Sequence, residues 1–99
     1  MIISKVDFMV RAELDQQTLE IWLQEEWLVP QQAEPEPAFS EADLARAHLI
    51  RELKQDLGVN DEGVGVVLNL LDQVHSLRRA MAMLLDSSRA GGPNDGEPK

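Results

Sequence analysis

The chain contains no cysteine. That excludes disulfides, thiol chemistry and thiolate metal sites, and it fits a reducing cytoplasm. No apolar run approaches the roughly 18 residues that a membrane helix needs. The opening Met1-Ile2-Ile3-Ser4-Lys5 is too short for a signal peptide. The expectation is a cytoplasmic protein with no membrane partner. Also missing are a glycine-rich phosphate loop, a nucleophile elbow and an H-E-x-x-H helix. His48 and His75 fall on different expected helices, each without a second histidine one turn away, whereas zinc takes several N or S ligands. The sequence therefore assigns no catalytic residue, no cofactor and no metal, and the chain does not read as an enzyme.

The most informative absence is of positive charge. Eighteen acids oppose nine Lys and Arg, and between Arg11 and Arg46 there is no Lys or Arg at all. That stretch holds Glu13, Asp15, Glu20, Glu25, Glu26, Glu34, Glu36, Glu41 and Asp43. Such a field repels phosphate backbones and attracts a basic protein surface. The plainer reading is an acidic surface that keeps the chain soluble. Neither reading gives nucleic acid as a partner.

What is present is helical. Strand signal is confined to 1–4, and a short helix is expected near 7–12, with Phe8, Met9 and Val10 supplying apolar contacts. Asp15 is a good N-cap for a second helix running to about Leu28, where Val29-Pro30 ends it. Its Leu19, Trp22, Leu23 and Trp27 recur at helical spacing towards a core, leaving Gln17, Glu20 and Gln24 wet. Residues 31–38, with Pro35 and Pro37, read as an exposed loop, and Phe39 returns to the core. Ser40 and Asp43 form a capping box for a third helix with Ala42, Ala45, Leu49, Leu53 and Leu57 in series and Ile50 beside them, ended by Gly58. Asn60 opens a fourth, with Asp61 and Glu62 favourably near its positive end, running to about Asp86.

Within that fourth helix Val67, Leu70, Val74, Leu77, Met81 and Leu84 follow spacings of 3 and 4, the pattern of a coiled-coil seam. Val64, Val67, Leu68 and Leu71 can serve the domain's own core. Past Leu77 no domain remains to cover the stripe, which suggests a partner helix, most simply from a second copy of the chain. The expected organisation is one domain over 1–86 and a glycine- and proline-rich disordered tail over 87–99.

Two sets of motifs carry a family resemblance. Thr18-Leu19, then Leu28-Val29-Pro30, then Phe39-Ser40-Glu41-Ala42-Asp43-Leu44 resemble the winged helix-turn-helix of MerR-type regulators, in which T-L-R-Y-Y-E…G-L-L-x-P spans the recognition helix and R-x-Y-S-E-A-D-L leaves the wing. Where those regulators carry arginines, this chain has Gln17 and Glu20 on the helix and Pro37 and Ala38 in the wing. The second set is Leu49-Ile50-Arg51-Glu52-Leu53, Glu62-Gly63-Val64, and Leu68-Asn69-Leu70-Leu71 with Val74 and Leu77. It resembles the CbpM chaperone-modulator family over roughly residues 6–85. Departures from that family are Phe39 after two prolines at the wing exit and no tryptophan-proline pair near Asp61-Glu62.

The resemblance implies an all-α fold, a MerR-like winged helix-turn-helix with a long C-terminal helix. It also implies a function: binding the J-domain of a DnaJ-like co-chaperone (CbpA type) and blocking its access to Hsp70. The contact acids would be Glu20, Glu25 and Glu26, with Asp56, Asp61 and Glu62 as a second group, while Val67 to Leu84 would pair two copies. The alternative on the same scaffold is a MerR-like DNA-binding transcription regulator. A dimeric scaffold with another partner is a third.

Overall fold

Local capping sets where each helix begins. The computed structural model describes the backbone of residues 2–95 and the side chains of residues 2–88. Helix α1 is Lys5–Ala12, and the Ser4 hydroxyl before it accepts from the Asp7 N–H at 3.2 Å. Helix α2 is Gln16–Gln24, capped by Asp15, whose carboxylate accepts from the Thr18 N–H at 2.8 Å. Helix α3 is Glu41–Arg51. There the Ser40 hydroxyl accepts from the Asp43 N–H at 3.1 Å and the Asp43 carboxylate from the Ser40 N–H at 2.9 Å. Helix α4 is Asp61–Asp95, and the Asn60 side chain accepts from the Gly63 N–H at 2.8 Å. Each cap satisfies a donor that the first helical turn leaves open. Asp15, Ser40 and Asn60 stand where the sequence places them.

The ends of α1 and α2 share one device. Glu13 and Glu26 both adopt left-handed backbone, φ 58° and 62°. After each, the chain folds back: the Leu14 N–H donates to the Met9 carbonyl, and the Trp27 N–H donates to the Trp22 carbonyl, both at 2.9 Å. With Glu13 N–H on Val10 and Glu26 N–H on Leu23, both ends are Schellman motifs. Helix α2 therefore stops at Gln24, short of the Leu28 expected from Pro30. The left-handed turn at Glu26 acts first, and it delivers Trp27 and Leu28 to the core. Glu13 gives the turn between α1 and α2 the left-handed residue that a helix-turn-helix often takes from glycine.

The wing follows. Gln31 and Ala38 pair antiparallel, with mutual backbone hydrogen bonds at 3.0 and 2.9 Å, and Ile3 pairs with Phe39 at 2.7 and 3.0 Å. The segment expected as a plain loop is thus a narrow hairpin, and the strand signal at 1–4 amounts to a single bridge at Ile3. Phe39 stacks on Phe8, with centroids 4.2 Å apart and planes 15° from parallel. These rings join Ile3, Ala12, Leu19, Trp22, Leu28, Ile50 and Val64 among the buried apolar side chains.

Helix α3 packs against α1 and runs on into a π-helical turn, Glu52–Asp56. Ala47, Ile50 and Leu53 are buried, while Ala42 and Ala45 are exposed and Leu57 is 71% exposed. Of the expected series Leu53 is buried and Leu49 half-buried, but Ala42, Ala45 and Leu57 are not, and Ala47 takes the buried position instead. The wider π turn also rotates Leu57 away before Gly58, at φ 67°, closes the helix. Val10, expected in contact with the core, is exposed as well.

The fold is all-α: a winged helix-turn-helix with a long C-terminal helix. The described residues up to 65 form one compact unit and those from 66 onward a second. Helix α4 continues to Asp95, beyond the Asp86 expected from the sequence. Ser87–Ala90 contain no helix breaker, which accounts for the first residues past Asp86; the helix through Gly91, Gly92 and Pro93 has no explanation in local propensity. Gly96–Lys99, the end of the expected tail, lie outside the described residues.

Candidate functional site

The surface of α2 follows from its 3.6-residue period. Leu19 and Trp22 turn inward, and Gln16, Gln17, Glu20, Ile21 and Gln24 are exposed. The helix carries no Lys or Arg. Glu20 accepts from the Gln16 side-chain amide at 3.1 Å, a pair one turn apart on the same face. Glu25 and Glu26 close the helix and are exposed. The three leading acids thus lie on α2 and just past its end, and all three are exposed.

Two cations approach that end from elsewhere in the chain. Arg46 of α3 donates through Nε to the Trp27 carbonyl. The Lys54 ammonium lies 5.7 Å from the centroid of a Trp27 ring, close enough for cation–π attraction. Lys54 also pairs with Asp61. Two cations thus border Trp27, the residue that follows the acidic end of α2. Nothing in the local sequence signals this, because the partners are distant in the chain and meet only through the packing of α3.

Asp56, Asp61 and Glu62 form the second acidic group. All three are exposed, Asp56 at the end of the π turn and Asp61 and Glu62 in the first turn of α4. Lys54, which pairs with Asp61 and faces Trp27, connects this group to the end of α2. A further ion pair, Arg51 with Glu13 at 3.4 Å, accompanies donation from Arg51 to the Ala12 carbonyl. It places a cation where the carbonyl end of α1 attracts one.

The acidity of Asp15 is moved by its place at a helix start. The Thr18 backbone N–H, and after it the Thr18 side chain, holds its carboxyl below the ordinary 3.8. That shift belongs to a helix cap rather than to reaction chemistry. Among the described residues no three His, Asp or Glu side chains are grouped to hold a metal. No helix among them is long and apolar enough to cross a membrane.

The second unit carries the apolar seam. Leu68 is buried and Val67 and Leu71 half-buried, but exposure is 41% at Val74, 56% at Leu70 and 69% at Leu77, with Met81 and Leu84 also open. Sequence reasoning missed one feature of the first unit: Ile2, Val6 and Val10 are exposed at a spacing of four. Its signal was an aliphatic residue recurring once per turn, on the side of α1 away from Phe8.

A family model described as MerR HTH family regulatory protein matches residues 3–85. No curated protein and no solved structure matches the chain.

Proposed function

The chain belongs to the MerR HTH family of regulatory proteins, and from that premise we propose that it is a non-enzymatic adaptor that binds a J-domain co-chaperone and blocks its access to Hsp70. The observation that carries this reading is the outer face of α2, which holds Gln16, Gln17, Glu20 and Gln24 and no cation. A helix that reads DNA sits among phosphates and draws affinity from Lys and Arg. This one would meet them with Glu20. The same face suits a basic helix, and the chaperone-modulator resemblance of residues 49–77 supplies a J-domain as its bearer.

The mechanism is occlusion, and it needs no cofactor. Glu20, Glu25 and Glu26 form the primary contact, extended by Asp56, Asp61 and Glu62. Glu20 lies within α2 itself, which carries no Lys or Arg. Two copies pair through Val67, Leu70, Val74, Leu77, Met81 and Leu84, so one assembly restrains two co-chaperones. The setting is the cytoplasm.

The helix-turn-helix family supports one other reading, a DNA-binding transcription regulator. Two assays separate them. The adaptor lowers J-domain-stimulated Hsp70 ATPase activity in proportion to its concentration, and it binds mixed-sequence duplex no better than about 10⁻⁴ M at physiological salt, the weak end of the non-specific range. Micromolar or tighter duplex binding with no effect on the ATPase would establish the regulator instead.

A further inference from the structure

The outer side of α1 carries a surface that the acids of α2 do not account for. Val6 and Val10 lie one helical turn apart and are 67% and 70% exposed, and Ile2 before them is 74% exposed. Beside them is a groove of about 410 Å³ lined by Lys5, Val6, Met9, Val10, Leu14 and Gln16. Four of those six residues are apolar. In a helix-turn-helix that grips phosphate, the exposed parts of α1 and α2 would carry cations. Here the groove between them is mostly apolar, and among its described lining residues Lys5 carries the one charge.

Carboxylates stand beside two of the lining residues. The Lys5 backbone N–H donates to the Glu36 carboxylate at 3.2 Å, and the Gln16 amide donates to Glu20 at 3.1 Å. The groove is therefore aliphatic in its lining and acidic at its margin. That combination selects its occupant: aliphatic side chains at helical spacing fill the groove, and Lys or Arg on the flanks of the same segment reach the acids. A nucleic acid has no aliphatic stripe, and an acidic helix is repelled.

We propose that the α1 groove takes the aliphatic stripe of a basic amphipathic helix from a partner protein, with Glu20 and Glu36 receiving its cations. The inference rests on the adaptor reading and deepens it, since it makes α1 and the wing part of the binding face. Glu20 then serves both the groove and the outer face of α2. Burial of Val6 and Val10 supplies affinity, while the acids set orientation and the rate of encounter.

The test uses the full chain and a fluorescein-labelled helical peptide of Leu and Lys, with a scrambled peptide of equal composition as control. The amphipathic peptide should bind, the scrambled one at least tenfold more weakly. Val6→Gln with Val10→Gln keeps helix propensity and removes the stripe, and should weaken binding more than about tenfold. Glu20→Gln with Glu36→Gln should weaken it less and flatten its salt dependence. Amide and methyl NMR of the unaltered chain locates the peptide without any variant, with shifts expected at Val6, Met9, Val10 and Leu14. Equal binding of both peptides, or shifts confined to α4, would overturn the inference, as would a change in oligomeric state in the valine variant. The same variants assayed with a J-domain separate the two proposals. A J-domain that binds regardless of Val6 and Val10 leaves the co-chaperone reading standing and removes the groove from it. A J-domain that fails to bind, while the Leu-Lys helix binds in a valine-dependent way, does the reverse.

Discussion

Trp27 lies against Trp22, ring centroids 6.2 Å apart and planes tilted by 48°, because Glu26 between them turns the backbone left-handed at φ 62°. This is the hydrophobic contact that accompanies a Schellman helix end. A residue with a Cβ costs about 1–2 kcal/mol in that conformation, and glycine gives back part of the gain through its freer unfolded chain. Glu26→Gly should therefore raise stability by about 0.5–1 kcal/mol in urea unfolding. Glu26→Val, β-branched at positive φ, should lower it. The reverse order would show that the left-handed turn does not set the end of α2.

Two glycines near the start of α4 should respond with opposite signs. A Cβ at Gly63 would stand 2.6 Å from Val59 Cγ1, whereas one at Gly65 would meet nothing within 4 Å. The Val59 side chain is branched at Cβ and cannot swing aside at its far end. Gly65→Ala should stabilise by about 0.5–1 kcal/mol through helix propensity, and Gly63→Ala should destabilise despite the same intrinsic gain. Thermal melts of the two variants check this, and two shifts of the same sign would contradict it.

Asp15 sets a pH dependence. Its folded carboxyl titrates below the ordinary 3.8 because of the hydrogen bonds from Thr18. The unfolded chain therefore binds the proton more readily, so the contribution of the cap is full above the unfolded value. It is lost as pH falls through the folded one. Asp15→Asn retains a capping oxygen that does not titrate. It should melt close to the unaltered chain near neutral pH and lose less stability below about pH 4. Parallel pH profiles for the two proteins would show that Asp15 does not contribute to acid sensitivity.

The features legible in the sequence are those set by near neighbours. The caps at Asp15, Ser40 and Asn60 lie within three residues of the groups they satisfy, and Gly58 carries its own conformational signal. The end of α2 was not legible, since Glu26 has no intrinsic preference for positive φ and takes it because Trp27 gains burial. The first half of the α3 face was misplaced for a related reason: Ala42 and Ala45 are as apolar in composition as Ala47, and only packing against α1 distinguishes them. In the candidate site, the exposure of Glu20, Glu25 and Glu26 could be read from periodicity. The approach of Arg46 and Lys54 to Trp27 could not, because it depends on α3 and the π turn folding against the end of α2.

The seam of α4 carries a prediction about assembly. Leu70, Val74, Leu77, Met81 and Leu84 are all exposed in the single chain, and a second copy would cover them. Sedimentation at tens of micromolar should give a dimer. Leu77→Glu with Met81→Glu, which sets like charges into an apolar contact, should give a folded monomer. A monomeric unaltered chain would remove the seam from the interface.

The central claim is that the acids of α2 and its end hold a basic J-domain surface. Glu20, Glu25 and Glu26 are exposed, so reversing all three to Lys should leave the helical circular dichroism intact. Removing one partner of a buried charged contact costs about 2–5 kcal/mol, and charges at the rim cost less. Titration calorimetry of a J-domain with the unaltered chain and with the triple-Lys variant is the direct measurement. The account predicts clear binding by the first and at least a tenfold loss in the second. A folded triple-Lys protein that binds the J-domain as tightly as the unaltered chain would contradict it.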